Sequence, residues 1–211
     1  MKIVVQEGTA SDTHEGHRDD AGAKVGMWLF LVTEILLFGG MFLLYSIFRT
    51  KHPLEFHNAA QHLSTFIGTV NTVILLTSSL TMALAIAAVR RANRKLSLLF
   101  QVLTILMGLA FLVNKYFEWS AKIHHGIFPN SPELLTHAKG EILFYGLYYV
   151  MTGMHGLHVV IGLVLLTVMF VFTQNGRINQ GSFVRLENSG LYWHLVDLIW
   201  IYLFPLFYLI T

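Results

Sequence analysis

Ionisable side chains stand at a few places inside stretches of this sequence that are otherwise apolar, and their types suit the handling of protons. Glu34 lies in WLFLVTEILLFGG, His155 and His158 in TGMHGLHVVIG, and His194 and Asp197 in YWHLVDLIW, with Glu187 just ahead of that last run. A carboxyl or an imidazole can hold or pass a proton, and a histidine and an aspartate at i,i+3 on a helix are close enough to share one. His155 and His158 share that spacing on one face, where two histidines could begin a metal site. No third or fourth ligand follows at a recognised spacing, which favours a hydrogen-bonding role between packed helices. For Glu34 two readings stand: a proton-linked or partner-facing carboxylate, or a protonated acid hydrogen-bonded across helices.

The elements that must carry these groups follow from composition. The 211 residues are 55% hydrophobic, 13% aromatic and only 12% charged, with mean hydropathy +0.59, whereas soluble domains carry about 25% charged residues. That excludes a water-soluble globule, and the wealth of aromatic and aliphatic residues excludes disorder. A net charge of +2, with basic residues set between apolar runs, gives no surface for nucleic acid. Without cysteine there is no disulfide, thiolate zinc site, iron–sulfur cluster or covalent c-type haem.

A spanning helix needs roughly 20 apolar residues, and five runs qualify, at about 24–48, 66–89, 96–117, 140–172 and 189–210. None alternates with period two, so the fold class expected is all-α: a polytopic membrane protein with a bundle of five transmembrane helices. Residues 1–23 read as a polar amino-terminal tail and 24–211 as one membrane domain. Nine Lys and Arg fall on the amino-terminal side of the spans, among them the tight Arg90, Arg91, Arg94 and Lys95 cluster, against five on the other. The positive-inside rule then puts the amino terminus in the cytoplasm and the carboxyl terminus outside. The same cluster is placed to hold anionic lipid head groups, although orientation by charge explains it equally well.

At 1.5 Å per residue Glu34 sits about 15 Å into the first span. With no basic residue near it in that helix, a proton or a histidine from another helix is the expected compensation. Glu187 could neutralise Arg185 or meet the first helix near its cytoplasmic end. Glu118 and Glu141 read as interfacial and solvated, with Lys115 snorkelling outward or pairing with Glu118. Trp28, Trp119 and Trp193 read as an interfacial belt, the histidines of HPLEFHNAAQH as solvated surface, and Pro205 as a kink or last turn of the fifth span.

Taken together, KVGMWLFLVTEILLFGGMF, VNTVILLTSS, GLAFLVNKYFEW, TGMHGLHVVIG and ENSGLYWHLVDLIWIYLF resemble, in order, five helices of subunit III of the haem–copper cytochrome c oxidases. HGLHV followed by YWHxVDxxW after a WLFLxxE helix is the specific part. The resemblance implies an accessory, non-redox subunit in a bacterial cytoplasmic membrane, with haem and copper in partner subunits and no metal of its own. It implies packing on subunit I, beside subunit II and a small subunit IV, with bound phospholipid in a cleft, active-site stabilisation during turnover and support of proton uptake. A respiratory supercomplex is left open. Glu34 takes the position of the family's buried carboxylate, and His155, His158, Glu187, His194 and Asp197 match its recurrent polar positions.

Longer members have two further amino-terminal helices that this sequence lacks, which leaves the wall of the lipid cleft to another chain, and Lys115 stands where glutamine is common. Subunit III of quinol oxidases and a homologue associated with nitric oxide reductase look similar; the LVTE and NTVILLTSS segments favour the cytochrome c branch. Two other classes compete. A b-type cytochrome would use His155 and His194 as axial ligands, and a small proton-coupled carrier would use Glu34 and Asp197, against which the lack of internal repeats argues.

Overall fold

The computed structural model describes residues 10–124 and 126–209, with side chains from residue 21 onward. Six α-helices account for nearly all of it: α1 (Ala10–Lys51), α2 (Pro53–Gln61), α3 (Thr65–Arg90), α4 (Arg94–His124), α5 (Lys139–Gln174) and α6 (Val184–Phe204). All but α2 contain a stretch long and apolar enough to cross a membrane. Of the polar segment expected over 1–23, residues 1–9 lie outside the described residues, and α1 is already helical from Ala10.

With lipid tails as solvent, apolar side chains gain nothing by turning inward, so helices pack through their small and polar residues. Helix α4 shows this along its whole length. Its buried residues are Ser97, Gln101, Thr104, Gly108, Phe111, Lys115, Glu118 and Lys122, spaced alternately by four and three. That is the heptad seam of a coiled coil written largely in polar residues. Leu99, Leu106, Leu109, Val113 and Phe117 stand on the outer side.

Helices α3 to α6 form a four-helix core in which α3 lies against α4 and α6, and α5 against α4 and α6. Hydrogen bonds cross the seams: Thr81 Oγ1 to Thr104 Oγ1 at 2.8 Å, Asn114 Nδ2 to Asn71 Oδ1 at 2.9 Å, and Gln101 Nε2 to Thr173 Oγ1 at 3.1 Å. Helix α1 leans on α5 and α6 from outside, which leaves most of its apolar surface, including Trp28, Leu36 and Leu43, exposed on the outside of the bundle. The short α2 covers the end of the bundle where α4 finishes, burying Phe56, Ala59 and Ala60 beside α5.

Trp193 is not part of an interfacial belt. About 14 Å into α6, it is fully buried, and its indole Nε1 donates to Ser78 Oγ of α3 at 3.1 Å. The ring fits because glycines face it from two helices. A Cβ on Gly108 of α4 would stand 2.7 Å from Trp193 Cη2, and one on Gly162 of α5 would stand 2.8 Å from its Cε3. One aromatic side chain thus joins α3, α4, α5 and α6.

Helix α4 continues to His124, past the expected end near residue 117, with Glu118 and Lys122 on that stretch facing the bundle. At the other end of the chain, α6 gives way at Pro205 to a π-helical turn, Pro205–Leu209. Proline has no N–H for the helical ladder, and the wider turn resets the register of the residues after it. It directs Phe207 and Tyr208 into the core.

Candidate functional site

Polar groups inside the bundle gather at three levels. At the end where α1 enters, Glu187 of α6 pairs with Lys24 of α1 at 3.3 Å and with Arg90 of α3. Arg185 is not its partner; the first helix is. Arg90 also lies 5.3 Å over the Phe183 ring, while Arg91, Arg94 and Lys95 stay exposed.

Midway along the spans, Glu34 Oε2 lies 2.8 Å from His158 Nε2. The other ring nitrogen of His158, Nδ1, is 2.7 Å from the carbonyl of Met154. A carbonyl only accepts, so Nδ1 carries a hydrogen. Two states then satisfy the Glu34 contact: a carboxylic acid donating to neutral imidazole, or a carboxylate accepting from imidazolium. Each holds one proton between Glu34 and His158, and each is neutral overall. In either state one hydrogen bond joins the two side chains. Phe38 packs edge-on to the imidazole at 5.3 Å, and Tyr192 donates to the His158 carbonyl at 3.1 Å, fixing the turn that carries the ring.

The third level, near the α2 end, has the most contacts. Lys115 Nζ is 2.9 Å from Glu118 Oε2, 3.0 Å from Tyr208 Oη and 3.2 Å from Tyr148 Oη. Glu118 Oε1 accepts from Tyr208 at 2.6 Å and from Tyr148 at 2.8 Å. Lys115 and Glu118 are only 7% and 6% exposed, so Glu118 is not solvated as its position near the end of an apolar run suggested. Three donors on the carboxylate and three acceptors around the ammonium are what a charge pair needs to remain buried. Glu141, by contrast, lies at the surface end of α5 with His137 Nδ1 at 2.6 Å.

His155 and Asp197 are buried but stand apart from these sites. His155 lies between the rings of Phe111 and Trp200, at 5.5 and 5.3 Å, and neither of its nitrogens has a hydrogen-bond partner among the described residues. His194 does not pair with Asp197: its Nδ1 meets Ser79 Oγ of α3 at 2.6 Å. The Asp197 oxygens find no partner in bonding geometry among the described residues. His155 and His194 thus have different neighbours, aromatic rings for one and Ser79 for the other. No group of three or more His, Asp or Glu placed to hold a metal ion occurs among the described residues.

Lys115, Glu118, Tyr148 and Tyr208 were not singled out as a site by sequence reasoning. The signal was present in the four-three spacing of α4, which runs unbroken from Ser97 to Lys122. A residue in register with a buried glycine and phenylalanine is buried too, whatever its charge.

Compared with known proteins, the chain matches the family described as Cytochrome c oxidase subunit III over residues 1–211. It is 31% identical over 209 residues to cytochrome c oxidase subunit 3 of Thermostichus vulcanus, covering 99% of this chain and 97% of that one. It is 31% identical over 195 residues to a heme-copper oxidase subunit I+III of Aeropyrum pernix, covering 89% of this chain and 22% of that longer protein. A Staphylococcus saprophyticus protein named "Probable quinol oxidase subunit 3" is 27% identical over 200 residues, 94% of this chain and 92% of that one.

Proposed function

The chain belongs to the cytochrome c oxidase subunit III family, a subunit of the haem–copper oxidases, and from that membership we propose that it is the accessory, non-redox subunit of a proton-pumping cytochrome c oxidase. In this reading the chain packs on subunit I, and the relative in which subunits I and III share one name supports that pairing. Subunit II, a small subunit IV and membrane lipids complete its surroundings in a bacterial cytoplasmic membrane. The amino terminus, with Arg91, Arg94 and Lys95, faces the cytoplasm and anionic head groups there, and Arg90 ties α3 to Glu187. Haem and copper reside in the partner chains, and electron transfer with them.

The observation that carries the functional reading is the Glu34–His158 contact at 2.8 Å. A site holding one proton at mid-membrane, on the inner side of a helix whose other faces are open, suits a subunit that supports proton uptake by a neighbour without chemistry of its own. His155, Asp197 and the Ser79–His194 contact then keep helix packing in register. Cytochrome c is favoured over quinol as electron donor by Glu34 in its LVTE context and by the NTVILLTSS segment.

Glu34→Gln in the intact oxidase tests this. The amide can still donate to His158 but carries no exchangeable charge. Assembly and the initial rate should be preserved, while proton uptake slows or inactivation during turnover quickens; unchanged uptake and lifetime would remove the proton-linked role. Assaying the same complex with reduced cytochrome c and with quinol assigns the donor. An optical spectrum with subunit identification should find haem on co-purifying chains; haem on this chain alone would return the cytochrome b reading.

A further inference from the structure

Between α3 and α4, at the α2 end, lies a groove of about 730 Å³. Its apolar walls are Phe66, Ile67, Val70 and Phe117, and its polar lining is Lys122, His62, Ser64, Asn114 and the Glu118 carboxylate. Phe66 and Phe117 are 76% and 66% exposed, so the groove opens outward from the bundle, within spanning helices. Lys122 lies in the last turn of α4 and Ser64 at the start of α3, at the level where a membrane carries its head groups.

Charge is unbalanced here. Lys115, Glu118 and Lys122 are all buried, giving two ammonium groups to one carboxylate. Glu118 is committed to Lys115, Tyr148 and Tyr208, and no carboxylate among the described residues forms an ion pair with Lys122. The Lys122 ammonium has one distant acceptor, the His62 carbonyl at 3.4 Å, and the Tyr148 ring at 5.8 Å. An ammonium with three N–H groups is thus left about 9% exposed, at the head of an apolar trough. At the start of α3 Ser64 Oγ accepts from the Ile67 N–H at 3.4 Å, and the positive end of that helix adds to the Lys122 charge in favouring an anion.

We propose that this groove is a binding site for an anionic phospholipid of the leaflet at the α2 end, with the phosphate on Lys122 and an acyl chain between Phe66 and Phe117. The site lies opposite the Arg90–Lys95 cluster and uses none of its residues. It rests on the membrane-spanning fold alone, so it stands whichever electron donor the oxidase uses.

The test is native mass spectrometry of the intact complex, released from detergent after equilibration with phosphatidylglycerol, phosphatidylcholine or inorganic phosphate. Wild type should retain one phosphatidylglycerol under activation that strips phosphatidylcholine. Lys122→Gln should lower that occupancy about fivefold, as for one lysine at a membrane surface. Ala121→Trp, an exposed position on the groove wall, should block the lipid without touching the bundle interior. Lys139→Gln, which removes the same charge at the same end outside the groove, should leave it bound. Equal retention of the two lipids, or no effect of either groove variant, would overturn the site. So would inorganic phosphate competing fully with the lipid, which would mark a free-anion site. A photoreactive residue at Phe117 that cross-links to a neighbouring polypeptide in the intact complex would show a protein in the groove and also end the proposal.

Discussion

Tyr208 donates its hydroxyl hydrogen to Glu118 at 2.6 Å across 90 residues of chain, so the last turn of the protein and the fourth helix are held on one buried charge. Tyr208 reaches Glu118 because Pro205 converts the end of α6 into a π-turn. Lys115 and Tyr148 close the cluster, and α4, α5 and the carboxy-terminal turn become a single packed unit.

Breaking that charge pair should destabilise the subunit far more than deleting it. Glu118→Leu or Lys115→Met each leaves a bare charge in the bundle and should cost about 3–5 kcal/mol. The double variant Lys115→Met with Glu118→Leu should recover most of the loss. Unfolding of the purified subunit in mixed micelles reads both; two single losses that merely add would refute the pairing.

Trp193 and its two glycines make a second coupled unit. Gly162→Ala should cost about 1–3 kcal/mol by overpacking, because the new methyl meets the ring at 2.8 Å. Trp193→Phe loses the bond to Ser78 but makes room. Combined with Trp193→Phe, Gly162→Ala should be nearly harmless, a coupling that thermal stability of the four proteins would measure.

His158→Leu removes the shared-proton partner of Glu34. Glu34 then keeps no hydrogen-bond partner among the described residues, so its carboxyl infrared band should shift in frequency. The lost hydrogen bond should cost about 1–3 kcal/mol. An unshifted band in His158→Leu would show that another group holds Glu34.

Glu187→Gln should matter little to stability. Lys24 and Arg90 are more than half exposed, at 51% and 57% of their side chains, and exposed ion pairs contribute at most about 1 kcal/mol. The effect should shrink further as salt is added. A salt-independent loss of several kcal/mol in chemical denaturation would contradict this account.

Much of the architecture was legible in the sequence because a bilayer imposes a one-dimensional rule. Five runs of the right length must be five helices, since lipid offers no partner for a free backbone. The far end of α4 and the surroundings of Trp193 differ from the sequence expectation for the converse reason. Length and hydropathy say how much of a helix is apolar, but not which side faces a neighbour. The histidines show the same divide: His155 and His158 are one turn apart, yet one is packed against aromatic rings and the other is bonded to a carboxyl on α1.

Hydropathy and motif alone establish that this chain is an all-helical membrane subunit, which ionisable groups lie within its spans, and which family's motifs it carries. Hydropathy and spacing act locally along the chain, so one strand of letters is enough to read them. Tertiary structure decided the partners: Glu34 with His158, Glu187 with Lys24 and Arg90, Ser79 with His194, and Lys115 and Glu118 with two tyrosines from other segments. A buried polar group is satisfied only by what the packing brings to it, and packing depends on how separate helices meet.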